Sequence, residues 1–388
     1  MRHLFAFAIL LLFINSAAMA NSYRISSEVE FKLLIPKLNA GDEVMIKDGN
    51  YTNWSIEIPS KGTANAPIII RPENEGKVVF SGNLSQPLFK IIGSYIILKG
   101  IKFENCTLVK SSALLLLNNS TNCTITQCSF IANTAKVQYT PLVIFAGNGN
   151  ANQITHCNFN ANVDNQDVQV KITKEYSPLY TLIENNLFEN KQKVSWKNNN
   201  GGECIQIGQD PVMLGTKISK STIRFNKFVG CNGEGEIISN KSSNNTYYKN
   251  HFEANDGELV MRGGHDCTIE ANIFNGGTGG IRINGTGHKV INNQLNNIKT
   301  AIRLMYGMAK GKSDIGFYVA ASDCIVANNL ITQAQIGILI GDSKNADWTG
   351  KFDTVRYPSP VIQNIAPFNN KISRNKFIGT EKQLLKMI

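Results

Sequence analysis

The sequence predicts an all-β protein that folds as a right-handed parallel β-helix. A short motif, in which Asn or Cys is followed by one residue and then a large apolar residue, recurs along the chain. It stands at Asn226, Asn250, Asn272 and Asn293 with nearly equal spacing, and the spacing is longer where segments are inserted. Each repeat carries a short alternation of β-branched or aromatic residues, which is typical of strands, and long helical patterns are almost absent. Repeats of this length bury their apolar sides only by stacking into a solenoid.

The first position of the motif is predicted to be structural. Asn suits a tight bend, where its side chain can hydrogen-bond its counterparts in neighbouring coils. Cys128 and Cys157 take this position in two repeats. We therefore interpret the eight cysteines as small buried residues rather than zinc ligands, and no CxxC pair is present. Their even number leaves one or two disulfide bridges open.

The N-terminal segment 1–20 resembles a secretory signal peptide. Arg2 gives a positive end, residues 4–14 are apolar but too few to span a bilayer, and residues 18–20 form a small-x-small cleavage site. No cysteine follows that site, so a lipid anchor is not expected. The sequence thus predicts a periplasmic or secreted protein without a membrane anchor.

Residues 21–388 are predicted to form one continuous domain, because no linker rich in Pro, Ser or charge interrupts them. Ser27 precedes a short amphipathic pattern over residues 28–34 that predicts a capped helix, and Pro36 ends or kinks it. The open end of a solenoid needs a cover, so we expect this helix to be the N-terminal cap.

The formal net charge of +10 at pH 7 bears on the class of partner. A basic exported protein favours polyanions. No nucleic-acid-binding motif and no dense run of Lys and Arg is present, so nucleic acid is not expected. An acidic polysaccharide suits a secreted solenoid better.

The segment 233–241 carries the residues most indicative of chemistry. Glu234 and Glu236 are separated by a single residue, so on a strand both carboxylates would lie on one face and could bind a cation together. Asn200 and Glu203, from an Asn-Gly-Gly-Glu motif, could supply further oxygen atoms. Ligands that are all oxygen indicate Ca²⁺ rather than zinc. The plainer interpretation is a solvated acidic face, which the flanking glycines and the second acidic motif disfavour.

Four cations follow the repeat, namely Lys241, Arg262, Arg282 and Arg303. Their nearly equal spacing matches the local repeat at each step and predicts one basic column across consecutive coils. Stacked like charges are unfavourable unless an anion lies against them, so a polyanion, the glutamate pair or both are expected there. The alternative is four separate solvated cations at accidental spacing. In this arrangement Lys241 is a candidate base and Arg262 a candidate acid.

These motifs resemble polysaccharide lyase family 6, which contains alginate lyases and chondroitinase B. The matching segments are residues 200–203, 232–242, 257–262, 279–283 and 287–288, and residues 41–51 are also similar. The resemblance implies a parallel β-helix and Ca²⁺-assisted β-elimination of an acidic polysaccharide. It assigns the metal to Asn200, Glu234 and Glu236, with Glu203 close by.

The resemblance also implies roles for the basic residues. It makes Lys241 the Brønsted base and Arg262 the acid, and it suggests that Arg282, Arg303 and Tyr306 contact the substrate. In many family members a histidine follows the arginine directly. Here two glycines intervene before His265, which is the candidate for that place.

Several alternatives stay open at this point. Alginate is favoured because nothing in the sequence demands recognition of sulfate, and dermatan sulfate is the second candidate substrate. A β-helix hydrolase would use two or three acidic residues without a metal, an epimerase would share only the proton abstraction, and a non-catalytic protein would bind carbohydrate without cleaving it. Endo or exo action depends on loops such as the inserted segments 187–225 and 296–328. Preference for mannuronate or guluronate blocks and the oligomeric state are not fixed by the residues.

Overall fold

Three long parallel sheets define the architecture in the computed structural model, which describes residues 20–210 and 215–387. The chain visits sheet 1, then sheet 2, then sheet 3, and repeats this circuit coil after coil. Each strand pairs in parallel with its counterpart in the next coil, so the sheets grow along the solenoid axis. The predicted parallel β-helix is confirmed.

The strands have the following bounds. Sheet 1 contains Ser22–Ile25, Glu43–Ile46, Ile68–Pro72, Ile96–Lys99, Thr124–Thr126, Gln153–Thr155, Leu182–Glu184, Thr222–Arg224, Thr246–Tyr248, Thr268–Glu270, Lys289–Ile291, Ile325–Ala327 and Lys371–Ser373. Sheet 2 contains Gly49–Thr52, Val78–Leu84, Lys102–Leu108, Ser129–Ile131, Asn158–Asn160, Leu187–Glu189, Lys227–Val229, His251–Asn255, Ile273–Gly277, Gln294–Asn296, Leu330–Thr332 and Lys376–Ile378, with Thr134–Ala135 paired beside the third of these. Sheet 3 contains Ile56–Ile58, Phe89–Ile91, Leu115–Asn118, Pro141–Ala146, Gln166–Val170, Ile205–Ile207, Glu236–Asn240, Glu258–Met261, Gly279–Ile283, Thr300–Met305, Ile336–Asp342 and Lys382–Lys386.

The core is a set of columns that run parallel to the axis. The large apolar residue of each motif points inward from sheet 2, and from Phe103 to Phe274 it is a phenylalanine whose ring stacks on the ring of the next coil. The distance between the centroids of neighbouring rings ranges from 5.0 Å (Phe103 to Phe130) to 4.3 Å (Phe252 to Phe274). These distances are close to the spacing between neighbouring strands. The repeating apolar residue therefore stabilises the contact between coils.

A buried asparagine ladder follows the bend between sheets 1 and 2. The Nδ2 of Asn272 donates to the Tyr247 carbonyl and to Asn293 Oδ1, both at 3.0 Å. Its Oδ1 accepts from the backbone N and the Nδ2 of Asn250, at 2.9 and 3.0 Å. The same pattern links Asn186 through Asn375, which confirms the structural role of this position.

The cysteines behave as small core residues. All eight are buried and free. Cys157 occupies the ladder position, and its backbone N donates to Asn186 Oδ1 at 2.9 Å. The interpretation from the sequence is confirmed, and the disulfide alternative is not realised.

The N-terminal helix spans Glu28–Leu34 and is followed by the 3₁₀ turn Ile35–Lys37, which contains Pro36. Ser27 caps the helix by accepting a hydrogen bond from the Glu30 backbone N at 3.2 Å. Phe31 is fully buried against the rings of Trp54 and Phe89. The predicted helix is confirmed, and it packs over the first coil.

The predicted signal peptide lies outside the described residues, apart from Ala20. Within residues 20–210 and 215–387 we find no helix with the length and hydrophobicity required to cross a membrane.

Two insertions, residues 306–324 and 343–370, leave the solenoid between a sheet 3 strand and the next sheet 1 strand. We call them together the insertion wall. The second contains the antiparallel pair Ala346–Asp347 and Ile362–Gln363. Reciprocal backbone hydrogen bonds join Gly307 and Ile365 at 2.9 and 3.0 Å. An aromatic cluster fills the space between the insertions, formed by Met308, Phe317, Tyr318, Trp348, Phe352 and Tyr357.

We expect Asn272→Ala to lower the free energy of unfolding by about 3 kcal/mol, because it leaves the Tyr247 carbonyl and the Asn250 amide buried without these partners. Asn272→Cys should cost less, since Cys occupies the same position in two other coils. Denaturant unfolding checks the order, with the exposed Asn275→Ala as control. An equal loss for Asn272→Ala and Asn275→Ala would contradict the ladder's role.

Candidate active site

The candidate site lies on the outer face of sheet 3, and a β-bulge shapes it. In the ladder between two neighbouring strands, Glu236 pairs with Glu258 while Ile238 pairs with Leu259. The extra residue lets Ile237 and Ile238 both enter the core. Glu236 is therefore directed to the opposite face from Ile238, as bulges near functional sites often re-aim a side chain. Glu234 lies in the turn before the strand, so the prediction that both glutamates share one strand is wrong.

The turn and the bulge nevertheless bring three carboxylates together. Oxygen atoms of Glu203, Glu234 and Glu236 lie within 4.8 Å of one another, and all three residues are buried. Burial, together with the charges of Glu203 and Glu236, raises the pKa of Glu234 well above its usual value. Burial also raises the pKa of Glu236, but nearby Arg282, Arg262 and Lys241 outweigh it and bring that pKa to about 2.

Two glycines allow the close approach of the loops that hold this cluster. Glu234 accepts hydrogen bonds from the backbone N of Gly201 and of Gly202, the latter at 3.0 Å. A Cβ on Gly202 would lie 2.7 Å from the Gly233 carbonyl carbon, and one on Gly233 would lie 2.3 Å from the Gly202 carbonyl oxygen. Only glycine fits both positions, which explains the glycines that flank the acidic motifs.

A glutamine clamp, which sequence reasoning missed, holds Glu203. Gln166 Nε2 donates to one oxygen of Glu203 at 2.8 Å, and Gln206 Nε2 donates to the other at 2.7 Å. Gln169 in turn donates to Gln206 Oε1 at 2.7 Å. Gln169 and Gln206 pair directly in the sheet, but an inserted loop separates them in sequence and obscures the periodicity.

A buried ion pair anchors the loop that precedes Glu203. Lys191 Nζ lies 3.0 Å from Asp167 Oδ1 and 3.1 Å from Asn165 Oδ1, and Lys191 and Asp167 are each 2% exposed. Burial raises the pKa of Asp167, against the lowering effect of Lys191. The Lys191 carbonyl accepts from the backbone N of Asn232, so this pair also connects the loop to the turn that carries Glu234.

Lys241 and Arg262 are neighbours on adjacent coils. Asn240 pairs with Met261, and each cation is the next residue after its strand. Lys241 is 5% exposed. Burial and the charge of Arg262 lower the pKa of Lys241, while the three glutamates oppose this. Burial alone would lower the pKa of Arg262, but Tyr318 and the glutamates raise it.

The predicted column of four cations is wrong in its register. In the strand register, Arg282 lies opposite Val260 on one side and opposite Arg303 on the other. Val260 is two residues before Arg262, so Arg282 and Arg303 are displaced by two positions from the column of Lys241 and Arg262. Arg282 forms an ion pair with Glu236. Anions also lie against Arg303, which pairs with Glu258 and, at 2.8 Å, with Asp342.

The remaining predicted residues lie around this centre. Asn200 directly precedes Gly201 and Gly202, whose backbone N atoms donate hydrogen bonds to Glu234. The backbone carbonyl of Asn200 accepts a hydrogen bond from Gln138 Nε2 at 2.8 Å. His265 lies in the turn after Arg262, where its Nδ1 is 2.7 Å from Asp266, which also pairs with Lys312 of the insertion wall. Tyr306 is 3% exposed at the end of a sheet 3 strand.

Tyr318 is a further residue that sequence reasoning missed. It belongs to the insertion wall, and its ring centroid lies 5.2 Å from the guanidinium carbon of Arg262. No repeat pattern covers an insertion, so the sequence gives no signal for this contact.

The fold and the site define a class of protein, namely parallel β-helix proteins with a carboxylate cluster beside a lysine and an arginine on the outer face of one sheet. The family profile described as chondroitinase B matches residues 25–385. The chain belongs to this family, which is polysaccharide lyase family 6. A sequence search of curated proteins gives no match.

Solved structures of this family share the fold. The family 6 alginate lyase AlyGC, in a mutant form, is 22% identical with a TM-score of 0.75; the match covers 90% of this chain and 47% of that one. The family 6 polysaccharide lyase from Pseudopedobacter saltans is 24% identical with a TM-score of 0.75, over 91% and 84% of the two chains. A mannuronic acid specific family 6 lyase from human gut microbiota is 26% identical with a TM-score of 0.71, over 92% and 82%. The chain thus spans about half the length of AlyGC.

We expect Lys191→Met to destabilise the protein by about 3 kcal/mol or more, because Asp167 would remain buried without its partner charge. Thermal unfolding checks this. The exposed Lys193→Met in the same loop is the matched control and should leave the midpoint nearly unchanged. The double variant Lys191→Met/Asp167→Asn should recover part of the loss, and a loss that is equal in single and double variants would contradict the ion-pair argument.

Proposed function

We propose that this protein is a Ca²⁺-dependent polysaccharide lyase that cleaves an acidic polysaccharide, with alginate as the first candidate, by β-elimination. The observation that carries the proposal is the position of Lys241, a buried lysine with a lowered pKa, beside Arg262 and three clustered carboxylates. Membership of the family supports it.

The donor atoms fit a hard divalent cation. All three acidic side chains offer oxygen, which Ca²⁺ prefers. Glu236 Oε2 is buried and has no hydrogen-bond partner among the described residues, as expected for an atom that awaits a ligand. In the proposal Glu234, Glu236 and Asn200 hold the ion, and Glu203 lies close by. When bound, Ca²⁺ would neutralise the carboxylate of the uronate and so acidify the proton at C5.

The residues of this chain would carry the remaining chemistry. Neutral Lys241 would take the proton from C5, the electron pair would form the double bond between C4 and C5, and the bond from C4 to the glycosidic oxygen would break. Arg262 would stabilise the negative charge on the departing oxygen. An arginine whose pKa is raised is a poor proton donor, so we assign the final proton to water.

A cleft beside the site offers cations to a polyanion. It has a volume of about 350 Å³ and is lined by Arg282, Arg303 and Lys299 together with the carboxylates of Asp256 and Glu258. These cations could receive carboxylates of neighbouring sugar units. Alginate is proposed first, since one relative is described as specific for mannuronic acid, and dermatan sulfate second, since the family description names a chondroitinase.

The proposal extends to the rest of the chain. Residues 1–20 would direct export as a signal peptide, and residues 21–388 would act as one lyase domain in the periplasm or outside the cell. His265 and Tyr306 remain proposed substrate contacts. An N-terminal sequence of the protein recovered from the periplasm or medium tests the export proposal.

The first test is ultraviolet absorbance of the mature protein with alginate and, separately, with dermatan sulfate, each with Ca²⁺ and with a chelator. A Ca²⁺-dependent rise in absorbance reports the unsaturated uronate of β-elimination. Reducing ends without this rise would indicate a hydrolase and refute the roles of Lys241 and Arg262. Binding without any product would indicate a non-catalytic protein.

We expect Lys241→Ala to lower kcat by about 10³-fold, in the range found for general bases, with little change in thermal stability. Lys241→Arg should fail equally, because an arginine stays charged. The exposed Lys249→Ala is a matched control and should retain activity. Substantial product formation by Lys241→Ala would exclude this residue as the base.

The rate should rise with pH on its acid side. The base must be neutral, so below the lowered pKa of Lys241 the competent fraction falls about tenfold for each pH unit. We expect the apparent pKa of kcat/KM to lie below the ordinary lysine value of about 10.4. Initial rates between about pH 6 and 10 check this, and a rate that falls as pH rises across this window would contradict a neutral lysine.

Calcium should stabilise the fold, because its charge would offset the burial and the mutual repulsion of the carboxylates that raise the pKa of Glu234. At a concentration about 100-fold above the dissociation constant we expect a gain of about 3 kcal/mol, seen as a higher melting temperature. Glu236→Gln should reduce this shift, whereas Glu253→Gln on sheet 2 should preserve it. An identical shift in Glu236→Gln would exclude this cluster as the ion's site.

A further inference from the structure

Arg262 is held in an unusual way for a buried cation. Its Nε atom is buried and has no hydrogen-bond partner among the described residues. The Nε of Arg282 is unpartnered in the same way, but Arg282 and Arg303 each form an ion pair with a carboxylate, whereas Arg262 forms no ion pair among the described residues. The guanidinium of Arg262 lies over the ring of Tyr318, whose centroid is 5.2 Å from its central carbon. Such stacking is stronger when both partners are removed from water, and Tyr318 is 8% exposed.

Tyr318 is itself fixed from two sides. Its carbonyl accepts from the backbone N of Met308 at 2.8 Å, and the next residue, Val319, accepts from the backbone N of Gly285 at 2.8 Å. The second bond attaches the insertion to the solenoid near the end of a sheet 3 strand. On the other side the ring of Tyr318 lies 5.3 Å from Trp348 and 6.3 Å from Phe352. The second insertion therefore supports the ring from behind.

We propose that Tyr318 is a positioning residue for Arg262, and that the insertion wall exists at this corner to present its ring to the guanidinium. The inference rests on the proposed lyase function for its consequence, since an arginine placed to within a fraction of an ångström can stabilise the leaving oxygen and one that swings away cannot. We assign the effect to the ring rather than to the hydroxyl because the guanidinium lies over the ring, and Tyr318→Phe separates the two. Loss of the ring should therefore affect the chemical step more than the binding of the polymer.

Kinetics of three variants form the first arm of the test. Tyr318→Leu should lower kcat about tenfold, with KM within about twofold of the wild type, because stacking is lost while the cleft beside Arg282 is unchanged. Tyr318→Phe keeps the ring and should stay within about twofold of the wild type. Tyr357→Leu is the matched control: it removes an aromatic ring from the same cluster, where Tyr357 packs on Phe317 at 6.3 Å, and should leave kcat nearly unchanged.

A spectroscopic arm does not depend on activity. The Nε–H proton of Arg262 should show a ring-current shift in nuclear magnetic resonance spectra, and Arg262→Lys assigns the signal by removing it. The shift should persist in Tyr318→Phe and in Tyr357→Leu and disappear in Tyr318→Leu. Melting temperatures of all variants identify a general loss of structure, which would affect Tyr357→Leu as well.

The outcomes separate the two proposals. If the wild type forms no unsaturated product on either polymer, the proposed function fails, while the ring-current arm still decides whether Tyr318 holds Arg262. If Tyr318→Phe is as slow as Tyr318→Leu, the hydroxyl is the active part and the positioning proposal is overturned. An unchanged kcat or an unchanged Nε–H shift in Tyr318→Leu also overturns it.

Discussion

The register between successive coils is the constraint on which the rest of the structure depends. Parallel strands stack at about 4.8 Å, so a residue in one coil meets whichever residue the turns bring beside it in the next. The asparagine ladder fixes this relation at the bend between sheets 1 and 2, because each side chain bonds the backbone and the side chain of its neighbours. The ring column in the core repeats the same spacing. With both columns fixed, the outer face of sheet 3 presents its side chains in a defined arrangement.

The outer face is organised by charge balance within that register. Cations that stack along a sheet repel one another, and each of the two columns resolves the problem differently. Arg282 and Arg303 are each neutralised by a glutamate two strands away, and Arg303 also by Asp342 on the adjacent strand. Lys241 and Arg262 lie together and form no ion pair with any residue that the structure describes, and burial and the charge of Arg262 lower the pKa of Lys241. Beside them burial, together with repulsion from Glu203 and Glu236, raises the pKa of Glu234. The site thus concentrates unfavourable electrostatics that a cation and an anionic polymer would relieve.

Much of this arrangement could be predicted from the sequence, and the failures have physical causes. The contact of Lys241 with Arg262 was predictable because the coil between Asn240 and Met261 contains no insertion. The position of Arg282 could not be predicted, because the next coil is slightly longer and pairs Met261 with Ile283. Arg282 therefore lies before the position that would continue the column of Lys241 and Arg262. The bulge at Ile237 was equally hidden, since an alternating pattern cannot show a residue that interrupts it. Tyr318 and the glutamine clamp depend on inserted loops, where periodicity carries no information.

The insertion wall leaves the solenoid at the corner between sheets 3 and 1, and its two insertions rejoin the pairing between coils at Ser322 and Phe368. Its length is therefore independent of the coil register, and the chain returns to the same ladder whatever the loop contains. The scaffold that aligns Lys241 with Arg262 and the loop that carries Tyr318 to Arg262 are thus separate parts of the chain. The stacked core therefore sets no limit on what a corner loop contains, whereas the contact with Arg262 requires an aromatic ring at the place of Tyr318.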